Sequence, residues 1–133
     1  MPVVTFAGLA HPWMCDAMGH LNVRHYVAMF DDAGFQMLGR IAGRDADPGL
    51  GWADIRMEIE YRHETPANAL LTITSRVEAT GRTSVTCLHE MRGSLDDVLH
   101  ATMRTVTLRF DLAARGKVAL SPKELAAAEA LMA

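Results

Sequence analysis

Cysteine is scarce in this chain: Cys15 and Cys87 are the two in 133 residues. Two thiols cannot build a disulfide scaffold, although one disulfide between them stays compatible with the sequence. There is no excess of basic charge, since 13 Lys and Arg face 16 Asp and Glu for a formal net charge of -3. Without a basic block, nucleic acid is not an expected partner. No apolar run is long enough to span a bilayer, and Met1-Pro2-Val3-Val4-Thr5-Phe6 lacks both a charged leader and a long apolar stretch. No membrane partner is expected, and the expected setting is cytoplasmic. There is no CxxC pair and no His-Glu-x-x-His, so His11, Cys15, His20 and His25 are not read as a metal site. Internal repeats and low-complexity linkers are absent as well, and one domain over residues 1–133 is expected.

What the chain does have is apolar residues, which make up 50% of it. That is enough for a core without disulfides or metal. Residues 3–9 read as a short strand of β-branched and aromatic residues, ended by His11-Pro12. Tyr26, Phe30, Ala33, Met37 and Ile41 recur at three- and four-residue steps, which predicts a helix over residues 23–41. Asn22 suits its N-cap, and Gly39 and Gly43 mark its far end. The period then changes to two. Ile55, Met57, Ile59 and Tyr61 alternate with Arg56, Glu58, Glu60 and Arg62, and residues 71–77 alternate in the same way. Residues 83–91 and 98–110 complete a run of strands whose short connections predict an antiparallel meander. Ser121-Pro122-Lys123-Glu124 is a capping-box start for a short terminal helix. One long helix followed by antiparallel strands makes the fold class α+β.

The chemistry concentrates in Asp16-Ala17-Met18-Gly19-His20-Leu21-Asn22. A carboxylate, an imidazole, an amide and a glycine turn meet there at the start of the helix. A base or nucleophile beside free backbone N–H donors is what reaction at an acyl carbonyl requires. Each residue also has a plainer reading: Asp16 as a loop cap, His20 as a structural histidine, Asn22 as a helix cap alone, and Tyr26 as core packing. Gly19 serves backbone geometry. The nine methionines are most simply core filler, and those near the motif would also suit an adaptable pocket.

The order of elements, with Asp16, Gly19, His20, Asn22 and Tyr26 in the pattern Asp-x-x-Gly-His-x-Asn-x-x-x-Tyr, resembles the hotdog-fold thioesterases of the 4-hydroxybenzoyl-CoA thioesterase type. The resemblance runs from the first strand to about Phe110. It implies a curved sheet of about five strands wrapped around one long helix. It also implies a homodimer or homotetramer with sites shared between subunits, and hydrolysis of acyl-CoA without metal or organic cofactor. By that resemblance Asp16 is the catalytic carboxylate, acting as nucleophile or general base. Many relatives carry a second Asn where this chain has Val23. The longer stretch from Gly19 to Asp31, with Leu88-His89-Glu90-Met91-Arg92 and Ala101-Thr102, is similar to a branch that includes betainyl-CoA thioesterases.

CoA phosphates need cations. Arg62, His63 and Arg82 fall near strand ends, and Arg82-Thr83-Ser84 adds hydroxyl and N–H donors; a solvated strand edge is the alternative. Two rival functions remain in play. A hotdog hydratase or dehydratase acting on an enoyl thioester would pair its acid with His at a different spacing. A non-catalytic acyl-CoA-binding protein would use the same fold without turnover.

Overall fold

The computed structural model describes residues 2–132. The chain begins with strand β1 (Val3–Leu9), a single 3-10 turn (Pro12–Met14) and helix α1 (Val23–Ala42). Strands β2 (Leu50–Tyr61), β3 (Leu70–Thr80), β4 (Ser84–Gly93) and β5 (Leu99–Asp111) follow, then a two-residue strand β6 (Gly116–Lys117) and helix α2 (Pro122–Ala130). All pairings are antiparallel, and the sheet order is β1-β3-β4-β5-β2, with β6 on β5.

The expected meander holds for β3, β4 and β5. β2 departs from it: it pairs with β5 along its whole length, from Leu50 opposite Asp111 to Tyr61 opposite Ala101. The space beside β3 is taken by β1, through Val3 opposite Ser75 to Leu9 opposite Leu70. β2 therefore crosses to the far edge, and its outer side carries no strand among the described residues. It also starts five residues before the alternation visible in the sequence, because Leu50, Gly51 and Trp52 join the ladder without a period-two pattern.

Helix α1 lies on the sheet through Tyr26, Met29, Phe30, Ala33, Met37, Leu38 and Ile41, all buried. Tyr26, Phe30, Ala33, Met37 and Ile41 are the helical-period positions read from the sequence, and Met29 and Leu38 flank them. The Asn22 side chain caps it by accepting from the Arg24 N–H at 3.1 Å. The core has two parts along this helix. The N-terminal half packs with Ala10, Leu21, Leu71, Ile73, Met91, Ala101 and Met103, and the C-terminal half packs with Val77, Val85, Cys87, Leu120 and Ala128. Burying a large apolar side chain such as Phe30 contributes about 2–3 kcal/mol.

Helix α2 closes the second half of the core. Its capping box forms as expected between Ser121 and Glu124. The same Glu124 carboxylate sits 2.9 Å from Nε of Arg109, with both side chains almost fully buried. The Nε–H is not aligned on the carboxylate, so the contact is an ion pair rather than a directed hydrogen bond. The guanidinium also stacks over Trp52 of β2 at 4.3 Å and donates to the Gly51 carbonyl. Both cysteines are free thiols, and burial pushes the Cys87 thiol up to about 12.

Candidate active site

Residues 15–21 form a miniature hairpin in front of α1. Cys15 pairs with Leu21, the Asp16 N–H donates to the His20 carbonyl at 3.0 Å, and the Gly19 N–H donates back to the Asp16 carbonyl. The turn requires Gly19, whose φ of 81° is a left-handed conformation that a side chain would strain. The hairpin is anchored on two sides. His20 bridges to Pro66, and the Leu21 N–H donates to the Thr65 carbonyl. The motif therefore stands where the 62–66 segment leaves β2, at the N-terminus of α1.

Between these segments lies an open groove of about 290 Å³, lined by His20, Leu21, Val23, Tyr26, Tyr61, Arg62, His63 and Glu64. Five of the residues singled out from the sequence come together in and beside it. His20, Tyr26, Arg62 and His63 line it, and Asn22 caps the helix at its edge. Asp16 is exposed at the hairpin rim and does not line the groove; its Oδ1 accepts from the Met18 N–H at 2.9 Å. Among the described residues no acceptor is found for the Val23 N–H, so a first-turn donor stays free at the groove wall, where the helix dipole favours negative charge.

Arg82, Thr83 and Ser84 stand elsewhere. On β5 the partner of Tyr61 is Ala101 and the partner of Ser84 is Leu108. Seven strand residues at roughly 3.3 Å each put that turn about 23 Å from the groove. The Arg82 carbonyl accepts from Leu120 and the Thr83 carbonyl from Arg109, at the α2 end of the sheet.

Three residues at the groove carry interactions that the sequence did not signal. Glu64 lies 3.2 Å from Nε2 of His20. Thr65 is fully buried, with its Oγ1 2.7 Å from the Tyr26 hydroxyl. His100, also buried, sets Nδ1 3.1 Å from Thr65 Oγ1. These contacts span 35 to 44 positions, beyond any local pattern. Burial holds the Tyr26 hydroxyl above its ordinary pKa, so the phenol stays protonated, and its ring packs edge-on to Tyr61 at 5.1 Å.

One helical turn further along α1 is a cleft between α1, β2 and the sheet. Phe30, Cys87, His89, Met103 and Thr105 form its floor, and Asp31, Phe35, Asp54 and Met57 its exposed mouth. Its enclosed space is small, about 30 Å³. Burial, then the neighbouring Asp54 and Asp32 charges, raises the pKa of Asp31. His89 is completely buried; its Nδ1 lies 2.6 Å from Ser75 Oγ, and its Nε2 has no partner among the described residues.

No curated protein matches the chain significantly by sequence. Among solved structures the chain is similar to a Staphylococcus aureus protein determined in complex with CoA (10% identity over 99% of this chain and 85% of that one, TM-score 0.88). It is also similar to a predicted thioesterase from Bacillus stearothermophilus (18% identity, 96% of both chains, TM-score 0.83) and to a 1,4-dihydroxy-2-naphthoyl-CoA thioesterase from Synechocystis (14%, 96% of both chains, TM-score 0.80). At these identities the likeness shows the fold alone, and the long helix on an antiparallel sheet is the hotdog arrangement of the thioesterases. The thioesterase-like superfamily profile matches residues 10–128, from just after β1 to the last turn of α2. The chain belongs to the thioesterase-like superfamily.

Proposed function

We propose that the protein hydrolyses an acyl-CoA thioester to the free acid and CoA, with Asp16 as the reacting carboxylate. The observation that carries this reading is the hairpin that ties Asp16 to His20 by a backbone hydrogen bond at the mouth of a groove with a free helix N–H on its wall. A thioester has a good leaving group, because a thiol of pKa about 8.5 departs as thiolate without much acid help. The site then needs an attacking group and an oxyanion site. Asp16 either attacks the acyl carbon, expelling the thiolate and leaving a mixed anhydride for water to cleave, or takes a proton from the attacking water. The Met18 N–H holds Oδ1 of the carboxylate, so in both routes the reacting oxygen is Oδ2 unless that bond breaks.

Arg62 and His63 at the groove rim suit the CoA phosphates, although Arg62 already pairs with Glu60 at 2.8 Å. Arg82, Thr83 and Ser84 lie too far away to join them within one chain, and would serve this groove only from a second subunit. A homodimer or homotetramer suits two exposed apolar regions. One is the uncovered edge β2 with Ile55 and Tyr61; the other is Trp13, Met18 and Val23 beside the motif.

The likeness to betainyl-CoA thioesterases is supported by the cleft beyond Tyr26. Asp31 and Asp54 at its mouth have no cationic partner among the described residues, and the exposed Phe35 stands beside them, while the Trp52 face is already covered by Arg109. Carboxylates and aromatic faces favour a short cationic acyl group over an anionic one. The test is release of free thiol, followed with a thiol dye, from acetyl-CoA, hexanoyl-CoA, 4-hydroxybenzoyl-CoA and betainyl-CoA. Thiol release above the uncatalysed rate from at least one ester is expected. Release from none, with CoA still bound, would replace the hydrolase by an acyl-CoA-binding protein.

A further inference from the structure

We infer that the Tyr26 hydroxyl donates a hydrogen bond to the acyl carbonyl oxygen in the groove, and that Thr65 and His100 are positioning residues that direct it. The inference rests on the hydrolase reading above and adds to it a donor and the device that orients it.

The direction of each hydrogen bond follows from the partners. Nδ1 of His100 faces three oxygens: the Glu64 carbonyl at 3.1 Å, the His63 carbonyl at 3.3 Å and Thr65 Oγ1 at 3.1 Å. Carbonyls have no proton to give, so Nδ1 must carry one. A protonated Nδ1 has no lone pair to offer, so Thr65 Oγ1 cannot donate to His100 and shares that proton with the two carbonyls. Its own proton has one oxygen within reach, the Tyr26 hydroxyl at 2.7 Å, and donates there. The phenol oxygen is thus occupied as an acceptor, and the phenol proton has no acceptor among the described residues. Tyr26 lines the groove, one helical turn beyond the free Val23 N–H. Val23 and Tyr26 thus bring two donors from one end of α1 to the groove proposed for the thioester. The raised pKa of Tyr26 keeps the donor protonated.

The relay also explains why the site holds a fully buried threonine at a turn. Thr65 ties the 62–66 segment to the hairpin through its backbone, since its carbonyl accepts from Leu21, and links Tyr26 to His100 through its side chain. A valine there keeps the shape and the backbone bond but removes the hydroxyl.

The experiment uses the ester that the wild-type protein cleaves fastest in the panel above. Tyr26→Phe is expected to lower kcat about 100-fold with little change in KM, the scale of one lost oxyanion donor. Thr65→Val should lower kcat roughly tenfold, because Tyr26 loses its direction but not its proton, while Thr65→Ser restores the rate. The double variant should be no slower than Tyr26→Phe alone. Nitrogen NMR of histidine-labelled protein gives a readout independent of any variant's folding, and His100 is expected to carry its proton on Nδ1. Wild-type turnover with an unaffected Thr65→Val, additive losses in the double variant, or an Nε2–H tautomer at His100 would each overturn the relay alone. No turnover of any ester by the wild type would overturn the hydrolase reading, and the relay with it.

Discussion

The backbone N–H of Asp16 donates to the carbonyl of His20 at 3.0 Å, and this bond closes the hairpin that presents both residues beside the N-terminus of α1. The pair is held by backbone, so exchanging either side chain leaves the scaffold in place. Asp16→Asn keeps the bond to the Met18 N–H, because the amide oxygen still accepts. It is expected to lower kcat by about 10³ while CoA binding survives, on the scale of a lost acid–base group. Thiol release and calorimetric CoA binding check the two halves separately. Equal thiol release by variant and wild type would remove Asp16 from the chemistry.

The His20–Glu64 contact should matter much less. Glu64 is 73% exposed at its side chain, so water competes for the pair. Glu64→Gln is expected to change kcat/KM less than about fivefold and to make the rate less sensitive to salt. A loss of two orders of magnitude would give Glu64 a direct part in the reaction.

The ion pair under α2 is a different case. Arg109 and Glu124 are 3% and 9% exposed at their side chains, and Arg109 has no other carboxylate beside it among the described residues. Glu124→Ala leaves a buried guanidinium unpaired and also breaks the capping box. Denaturant titration should show a loss of about 3–5 kcal/mol, the cost of an orphaned buried charge. A loss under about 1 kcal/mol would mean that water reaches Arg109 once the carboxylate is gone.

His89 predicts how stability depends on pH. Burial depresses it from 6.5 to about 4, so the folded protein holds it neutral where the unfolded chain already protonates it. The unfolded state therefore binds more protons between these values, and stability falls as pH drops from 6.5 toward 4. Above pH 6.5 the contribution is fully present. The total is about 3 kcal/mol, at 1.36 kcal/mol per unit. Denaturant titrations of wild type and His89→Gln across this range are expected to converge at acid pH. Parallel curves would show that water reaches His89 in the folded state.

Much of the fold was legible in the sequence because it rests on local periodicity. The buried face of α1, from Tyr26 to Ile41, follows from three- and four-residue spacing, and the Ser121–Glu124 box follows from residue types three apart. The position of β2 was not legible. Neighbouring strands in sequence pair by default, and only the capture of β3's free edge by β1 sends β2 across to β5. The separation of Arg82, Thr83 and Ser84 from Arg62 and His63 is a consequence of that register, since both groups lie at strand ends but at opposite ends of the sheet.

By itself the sequence determined the helix, its Asn22 cap and the Gly19 turn, and so the presence of an acid and an imidazole before a helix N-terminus. Each of these depends on residues a few positions apart. Only the tertiary structure decided that the 62–66 segment closes over that motif, that Thr65 and His100 meet Tyr26, and that His89 is buried against Ser75. Such contacts join residues brought together by strand register, and hydrogen-bond direction depends on every partner at once. No local pattern carries that information.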